Sequence, residues 1–409
     1  MYKYKSEFLN FINERGFLNQ ISDAESLDKS FMNKGVSAYI GFDCTAPSLH
    51  IGSLIQIMLL KHLQDFGHNP IVLVGGGTSK VGDPSLKDKS RSLLEEKEIR
   101  NNLNGIKKTF GRFIDLKKTG TVVVDNNDWL GSLNYIDFLR EVGSNFSVNR
   151  MLSFDSVKLR LEREQPLSFL EFNYMVMQGY DFYELNKRYK CILQMGGSDQ
   201  WGNIVCGIDL ARRLSGVNLF GLTTPLLTTS SGQKMGKTEN GAIWLNYDKD
   251  AISHSTHPRD FWNYWRDKTD NDLVGPWMRL FTSLSLKEIS EYEKLQGEEI
   301  EFAKEVLATK ITELVHGKDS NWNSIETFKI SKLVIEEGVG LLSLLSKDFL
   351  KLTNSNSESR RFVKSSAIKL NEKLILDEKY IVTIDDFDQS QKLKVSMGKK
   401  KNILVQISE

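Results

Sequence analysis

The sequence predicts an α/β protein: a parallel-sheet domain first, helices after it, and a small basic module last. Three observations carry that expectation. Val36 to Phe42 and Pro70 to Val74 read as short buried strands, and the run between them, from His50 through Ile51, Leu54, Ile55, Met58 and Leu59 to Gly67, has helical spacing. Glycine-rich loops, Gly75 to Ser85 and Gly196 to Asn203, follow strand-like segments. From about residue 245 the composition turns to helices rich in Trp, Leu, Glu and Lys, and an Asn/Ser-rich stretch at 354–359 opens a basic tail.

Residues 1–35 read as helical around Phe8, Leu9, Ile12 and Phe17 and lead into the first strand. Strand, helix and strand over residues 36–74 make a right-handed βαβ unit with parallel strands. Ligands of such sheets sit beyond the carboxyl ends of the strands, here Gly41 to Gly52, where His50 and the amides of the first helical turn can meet an anion. Asp83, Lys87 and Arg91 follow the next glycine-rich loop, ahead of a helix that the pattern Ser92-Leu-Leu-Glu95 is expected to cap. Thr121 to Val124 is a strand ending in Asp125-Asn-Asn-Asp128. Tyr135 to Glu164 is amphipathic and helical, and Phe169 to Tyr189 is a further helix. On the latter Tyr174, Gln178 and Asp181 share a face among Phe172, Met175, Met177 and Phe182, so partial burial of that polar stripe is expected. Ile192 to Met195 is a strand, Asn203 to Leu214 a helix, and Leu219 to Leu227 is extended up to Pro225. The loop Thr228 to Gly241 carries Lys234 and Lys237 among Ser, Gly and Thr. Trp262, Trp265 and Trp277 are expected to pack between helices rather than to stack on bases.

Composition bounds the partners. A chain of 409 residues with 40% hydrophobic and 26% charged content buries a large core and divides into two or three domains. A formal net charge of +1 leaves any nucleic-acid binding to local patches. No apolar run reaches the roughly 20 residues of a membrane span, and the N-terminus lacks a secretory signal. Cys44, Cys191 and Cys206 have no metal-ligand spacing and read as buried, reduced cysteines of a cytoplasmic enzyme.

His50-Ile-Gly-Ser53 is similar to the first signature of class I aminoacyl-tRNA synthetases, H-I-G-H, and Lys234-Met-Gly-Lys-Thr238 to the second, K-M-S-K-S. In that order, and joined by Gly196-Gly-Ser-Asp-Gln-Trp-Gly-Asn203, they resemble the bacterial-type tyrosyl-tRNA synthetases along nearly the whole chain. Ser53 departs from the pattern; its hydroxyl donor implies a weaker nucleotide contact rather than lost activity.

The resemblance implies a Rossmann-like catalytic domain over 1–245 with a dimerisation insertion at about 130–170, a helical anticodon-arm domain over 246–318 and a linker over 319–350. A module over 351–409 resembles the α+β RNA-binding fold named after small-subunit ribosomal protein S four, with Ser365-Ser366 where a Gly pair is usual. The activity implied is tyrosine–tRNA ligation: the tyrosine carboxylate attacks the α-phosphate of ATP, pyrophosphate leaves, and the 3′ end of tRNA(Tyr) takes the tyrosyl group. Thr45 and His50 would donate to the γ-phosphate, while Lys87, Arg91, Lys234 and Lys237 embrace the pyrophosphate. Tyr39 and Asp181 would meet the phenolic hydroxyl, and Asp83, Tyr174 and Gln178 the ammonium group. Gly41, Asp43, Ser53, Asp199 and Gln200 would address the adenylate, with Gly52 leaving room for adenine. Arg360, Arg361, Lys364 and Lys369 would bind RNA. Mg2+ would accompany ATP with no protein-bound metal, and the expected assembly is a homodimer that does not engage membranes. The alternatives are a tryptophanyl-type enzyme and a catalytically silent RNA-binding paralogue.

Overall fold

The computed structural model describes residues 2–83, 94–230, 232, 235–238, 241–251, 253–297, 299–318, 326–346, 349–353, 355–388, 390–398 and 401–408. Its main sheet is built from β1 (Gln20–Ile21), β2 (Ser37–Asp43), β3 (Asn69–Gly75), β4 (Val122–Asp125), β5 (Cys191–Gly197) and β6 (Phe220–Thr224). Their order is β1-β6-β5-β2-β3-β4. All neighbours run parallel except β1, a two-residue edge strand that pairs antiparallel with β6. The expected strands are present, and β1 is an addition inside the stretch read as helical. Buried on both faces, β2 and β3 carry near-continuous apolar runs, as parallel strands do.

The chain goes from β2 outward through β3 and β4, then returns to lay β5 against the opposite edge of β2. The order of connection therefore reverses between β2 and β5. In open parallel sheets that reversal opens a crevice at the carboxyl ends of the strands.

Helices depart from expectation where the chain has reasons to break. Tyr135 to Glu164 is three helices, Tyr135–Glu141, Val148–Leu152 and Asp155–Glu162, interrupted by the turn Gly143–Asn145 and by Phe154. The helix after the first glycine-rich loop starts at Glu96, with Glu95 as its N-cap and no capping side chain. The proposed cap thus fails at Glu95, and Ser92 lies outside the described residues, as do Lys87, Arg91 and Lys234.

The helices Pro258–Lys268, Val274–Phe281, Leu286–Tyr292 and Glu299–His316 were expected as a separate domain. They share one continuous apolar core with the sheet, and the compact unit runs from Met1 to Trp322. Arg15 locks the two parts by donating to the carbonyls of Arg279 and Thr282, each at 2.8 Å. Trp265 and Trp277 are buried edge to face at 5.4 Å between these helices, which is the packing role expected of them.

Asn323 to Glu409 form the second unit. The strand order among β9 (Glu326–Ser331), β11 (Ile368–Leu370), β12 (Lys373–Leu374), β14 (Lys392–Met397) and β15 (Lys401–Ser408) is β12-β11-β14-β15-β9. Between them β10 (Val339–Gly340) pairs with β13 (Ile381–Val382), and in the first unit β7 (Lys237–Thr238) pairs with β8 (Gly241–Ala242). The linker expected over 319–350 is corrected here: β9 pairs parallel with β15, and Ile330, Ile335, Leu341, Leu344 and Leu345 lie in the unit's own core. A strand whose partner lies 77 residues on (Glu326 against Ile403) leaves no local mark of its role. Ser366 stands at φ +56°, the left-handed backbone that favours glycine, which accounts for the Gly usual at this turn.

Candidate active site

The crevice between β2 and β5 holds a cavity of about 350 Å³. Tyr39, Gly41, Asp43, Thr45, His50, Gly52, Ser53, Asp83, Tyr174, Gln178, Asp181, Asp199 and Gln200 all line it. The structure thus gathers every sequence-nominated ligand residue of the first unit whose side chain it describes. Lys237 is described only through its backbone in β7.

The inner end is built from β2, β4 and the helix Tyr174–Tyr189. Asp181 is 1% exposed, and its carboxylate accepts from Trp129 Nε1 at 2.7 Å and from Asn126 Nδ2 at 3.0 Å. Burial nevertheless pushes its pKa up, from 3.8 to about 7, the two hydrogen bonds opposing that rise and Asp43 and Asp125 adding to it. Tyr39 is fully buried with its ring 5.3 Å from that of Phe182, and its hydroxyl has no hydrogen-bond partner among the described residues. Burial first, then the Asp181 charge, holds that phenol protonated well above its ordinary range. A buried hydroxyl left unpaired is rare, and Tyr39 is among the residues that line the cavity.

Around the middle, a chain of side-chain amides ends on one carboxylate and hydroxyls hold another. Gln200 Nε2 donates to Asp83 at 3.0 Å, Gln178 Nε2 donates to Gln200 Oε1 at 3.3 Å, and Asn203 Nδ2 donates to Gln178 Oε1 at 2.9 Å. The Tyr174 and Thr78 hydroxyls donate to Asp43 at 3.2 and 3.3 Å. Asp43, nominated for the adenylate, thereby stands with Tyr174 from the ammonium set. This cluster of carboxylates and amide oxygens suits a cation.

The outer end is made of turns. His50 caps the first turn of its helix by accepting the Gly52 N–H on Nδ1 at 3.0 Å, which leaves the ring proton on Nε2. A Cβ at Gly52 would lie 2.7 Å from His50 Cε1, so the glycine first of all makes room for the imidazole that folds back over it. The segment after the second signature closes on this turn: Ile51 N donates to Ile243 O at 3.0 Å and Leu245 N to Leu49 O at 2.8 Å. The two signatures, far apart in sequence, are neighbours.

Sequence reasoning missed Asn126, Trp129, Thr78, Gln56 and Gln194. Asn126, Thr78, Gln56 and Gln194 line the cavity, and Trp129 reaches it through Asp181. Asn126 also accepts the Gly77 N–H at 2.8 Å, tying the glycine-rich loop to the β4 end. Their placement at strand carboxyl ends was the available signal for Asn126 and Trp129. Gln56 offered another, as a polar residue between the buried Ile55 and Ile57 that donates to Thr224 Oγ1 at 3.2 Å. Among the described residues no three His, Cys, Asp or Glu side chains gather in a metal-binding group. No helix among them is long and apolar enough to cross a membrane.

Comparison with known proteins places this geometry. The family described as tRNA synthetases class I (W and Y) matches residues 32–330. The chain is 50% identical to the tyrosine–tRNA ligase of Beijerinckia indica over 99% of its own length and 98% of that protein. It is 49% identical to the corresponding ligase of Wolbachia pipientis over 100% and 99%. Among solved structures it resembles a C-terminally truncated mitochondrial tyrosyl-tRNA synthetase of Aspergillus nidulans, with a TM-score of 0.67 and 32% identity over 78% of this chain and 92% of that one.

Proposed function

The chain belongs to the class I tRNA synthetases of the tryptophan and tyrosine branch, and we propose how its residues divide the work of a tyrosine–tRNA ligase. The observation that carries the tyrosine assignment is the inner end of the cavity. A phenolic hydroxyl is both donor and acceptor, and there it meets the Asp181 carboxylate and the unpaired Tyr39 hydroxyl. An indole N–H makes a single hydrogen bond and could engage only one of Asp181 and Tyr39, which disfavours the tryptophan reading.

With the phenol so held, the ammonium group falls to Asp83, Gln178 and Tyr174, with Asp43 beside them. The tyrosine carboxylate is itself the nucleophile, so the protein supplies positioning and charge. His50, with its ring proton on Nε2, and Thr45 donate to the triphosphate. Lys87, Arg91, Lys234 and Lys237 neutralise the departing pyrophosphate. Asp199, Gln200, Gly41, Gly52 and Ser53 border the nucleotide. Mg2+ enters with ATP as part of the substrate. In the second step a terminal ribose hydroxyl of the tRNA attacks the tyrosyl carbonyl and AMP leaves.

The second unit is proposed to bind the tRNA. Arg360, Arg361, Lys364 and Lys369 are exposed on the helix Asn356–Lys364 and on β11. The homodimer is proposed from the insertion, where Tyr135, Ile136, Val148, Leu152, Phe169 and Leu170 are exposed, Phe169 at 69%. A cytoplasmic location accords with the three free, buried cysteines. ATP–pyrophosphate exchange with each of the twenty amino acids tests the assignment. Exchange with tyrosine alone is expected; exchange with tryptophan would establish the rival specificity, and none at all the silent paralogue.

A further inference from the structure

The lysine-bearing stretch of the second signature is fastened at its centre by a residue outside the parallel-sheet domain. Met235 is 4% exposed in the main core, and its N–H donates to Leu227 O at 2.8 Å. The Gly236 carbonyl accepts from Ile243 N at 3.1 Å. Gly236 itself stands at φ +107°, a backbone that side chains rarely adopt, and it lies against the first signature. A Cβ there would be 3.3 Å from His50 Nδ1 and 3.4 Å from Gly52 N. Gly236 is buried, so its N–H needs a partner inside the protein. That partner is the hydroxyl of Tyr264, at 3.4 Å. Tyr264 sits on the helix Pro258–Lys268, half-buried, its ring edge-on to Trp265 at 6.3 Å.

We propose that Tyr264 is a positioning residue for adenylate formation: its hydroxyl, by accepting the Gly236 N–H, holds the peptide that precedes Lys237 against the His50 turn. This rests on the reading of Lys237 as an ATP contact. A helix of the region expected to serve the anticodon arm thus takes part in setting the geometry of the catalytic signature. The separation lies beyond the roughly 2.7–3.2 Å usual for an N–H···O bond. It is expected to tighten once substrate closes the site. Tyr264 touches neither cavity nor substrate; it acts through Gly236.

Tyr264→Phe removes the hydroxyl and keeps the ring. In the full-length protein, single-turnover adenylate formation should slow roughly three- to tenfold, the worth of one hydrogen bond. Tyrosine affinity and melting temperature should not move. In a Lys237→Ala background the same substitution should have no further effect. An unchanged rate for Tyr264→Phe beside a slow Lys237→Ala overturns the proposal alone. Equal losses in both backgrounds, or a loss that tracks melting temperature, overturn it too. A normal rate for Lys237→Ala would remove the reading of Lys237, and this proposal with it.

Discussion

Asp181 and Tyr39, at the inner end of the cavity, are rooted in a helix and a central strand, and Asp181 has two side-chain donors of its own. His50, Gly52, Met235 and Gly236, at the outer end, sit on turns that hold one another through backbone contacts. At the inner end the Tyr39 hydroxyl and the Oε1 of its neighbour Gln194 have no hydrogen-bond partner among the described residues. The outer end is assembled from segments distant in sequence. On the proposed division of roles, recognition built on rigid elements is preorganised, whereas phosphoryl chemistry falls to turns that can adjust around ATP.

The contrast breaks most visibly in substrate choice. Phenylalanine would leave Tyr39 and Asp181 without their partner, and discrimination of roughly 10⁴- to 10⁵-fold is expected, a size already established for tyrosine-specific synthetases rather than derived from this geometry. Comparable exchange rates with phenylalanine would remove the inner end from the account of specificity.

Next comes the outer end. Lys237→Ala should lower the rate constant of adenylate formation by roughly 10²- to 10³-fold while tyrosine binding stays as it was, the pattern of a transition-state contact. A rise in tyrosine Kd instead would show that the two ends are not independent.

The second unit extends the comparison to tRNA. The boundary must fall before β9, so the informative truncation keeps residues 1–322 and not 1–351, which would retain β9 without its partner β15. The shortened chain should keep tyrosine-dependent pyrophosphate exchange. Its kcat/KM for tRNA should fall roughly 10- to 100-fold with a shallower dependence on salt, since phosphate contacts are lost. Undiminished transfer would free the exposed arginines and lysines from that role.

The smallest effect concerns pH. The folded state keeps a proton on Asp181 through a range, from 3.8 to about 7, in which the unfolded chain releases it. The Asp181 contribution to stability therefore falls as pH rises across that range and levels off above it. Asp181→Asn lacks this slope, so its melting temperature should gain a few degrees on the wild type between pH 4 and pH 7.5. Parallel pH profiles for the two proteins would mean that the carboxyl is ionised throughout.

Local pattern was enough for much of this protein. Strand and helix periods show within a window of ten residues, so β2, β3 and the face shared by Tyr174, Gln178 and Asp181 were legible from spacing alone. The polar turn at His50 pointed to an anion site in the same way, whereas the lysine pair near Gly236 was legible only through its resemblance to the second signature. What the sequence by itself could not determine is which strand lies beside which. The reversal of strand order between β2 and β5 makes the crevice, and it results from pairing across some 150 residues. The same holds for Asn126 and Trp129 reaching Asp181 from the end of β4, for β9 joining β15, and for Tyr264 meeting Gly236. Each of these is decided by burial and hydrogen-bond satisfaction in three dimensions, and no residue's type or spacing along the chain encodes it alone.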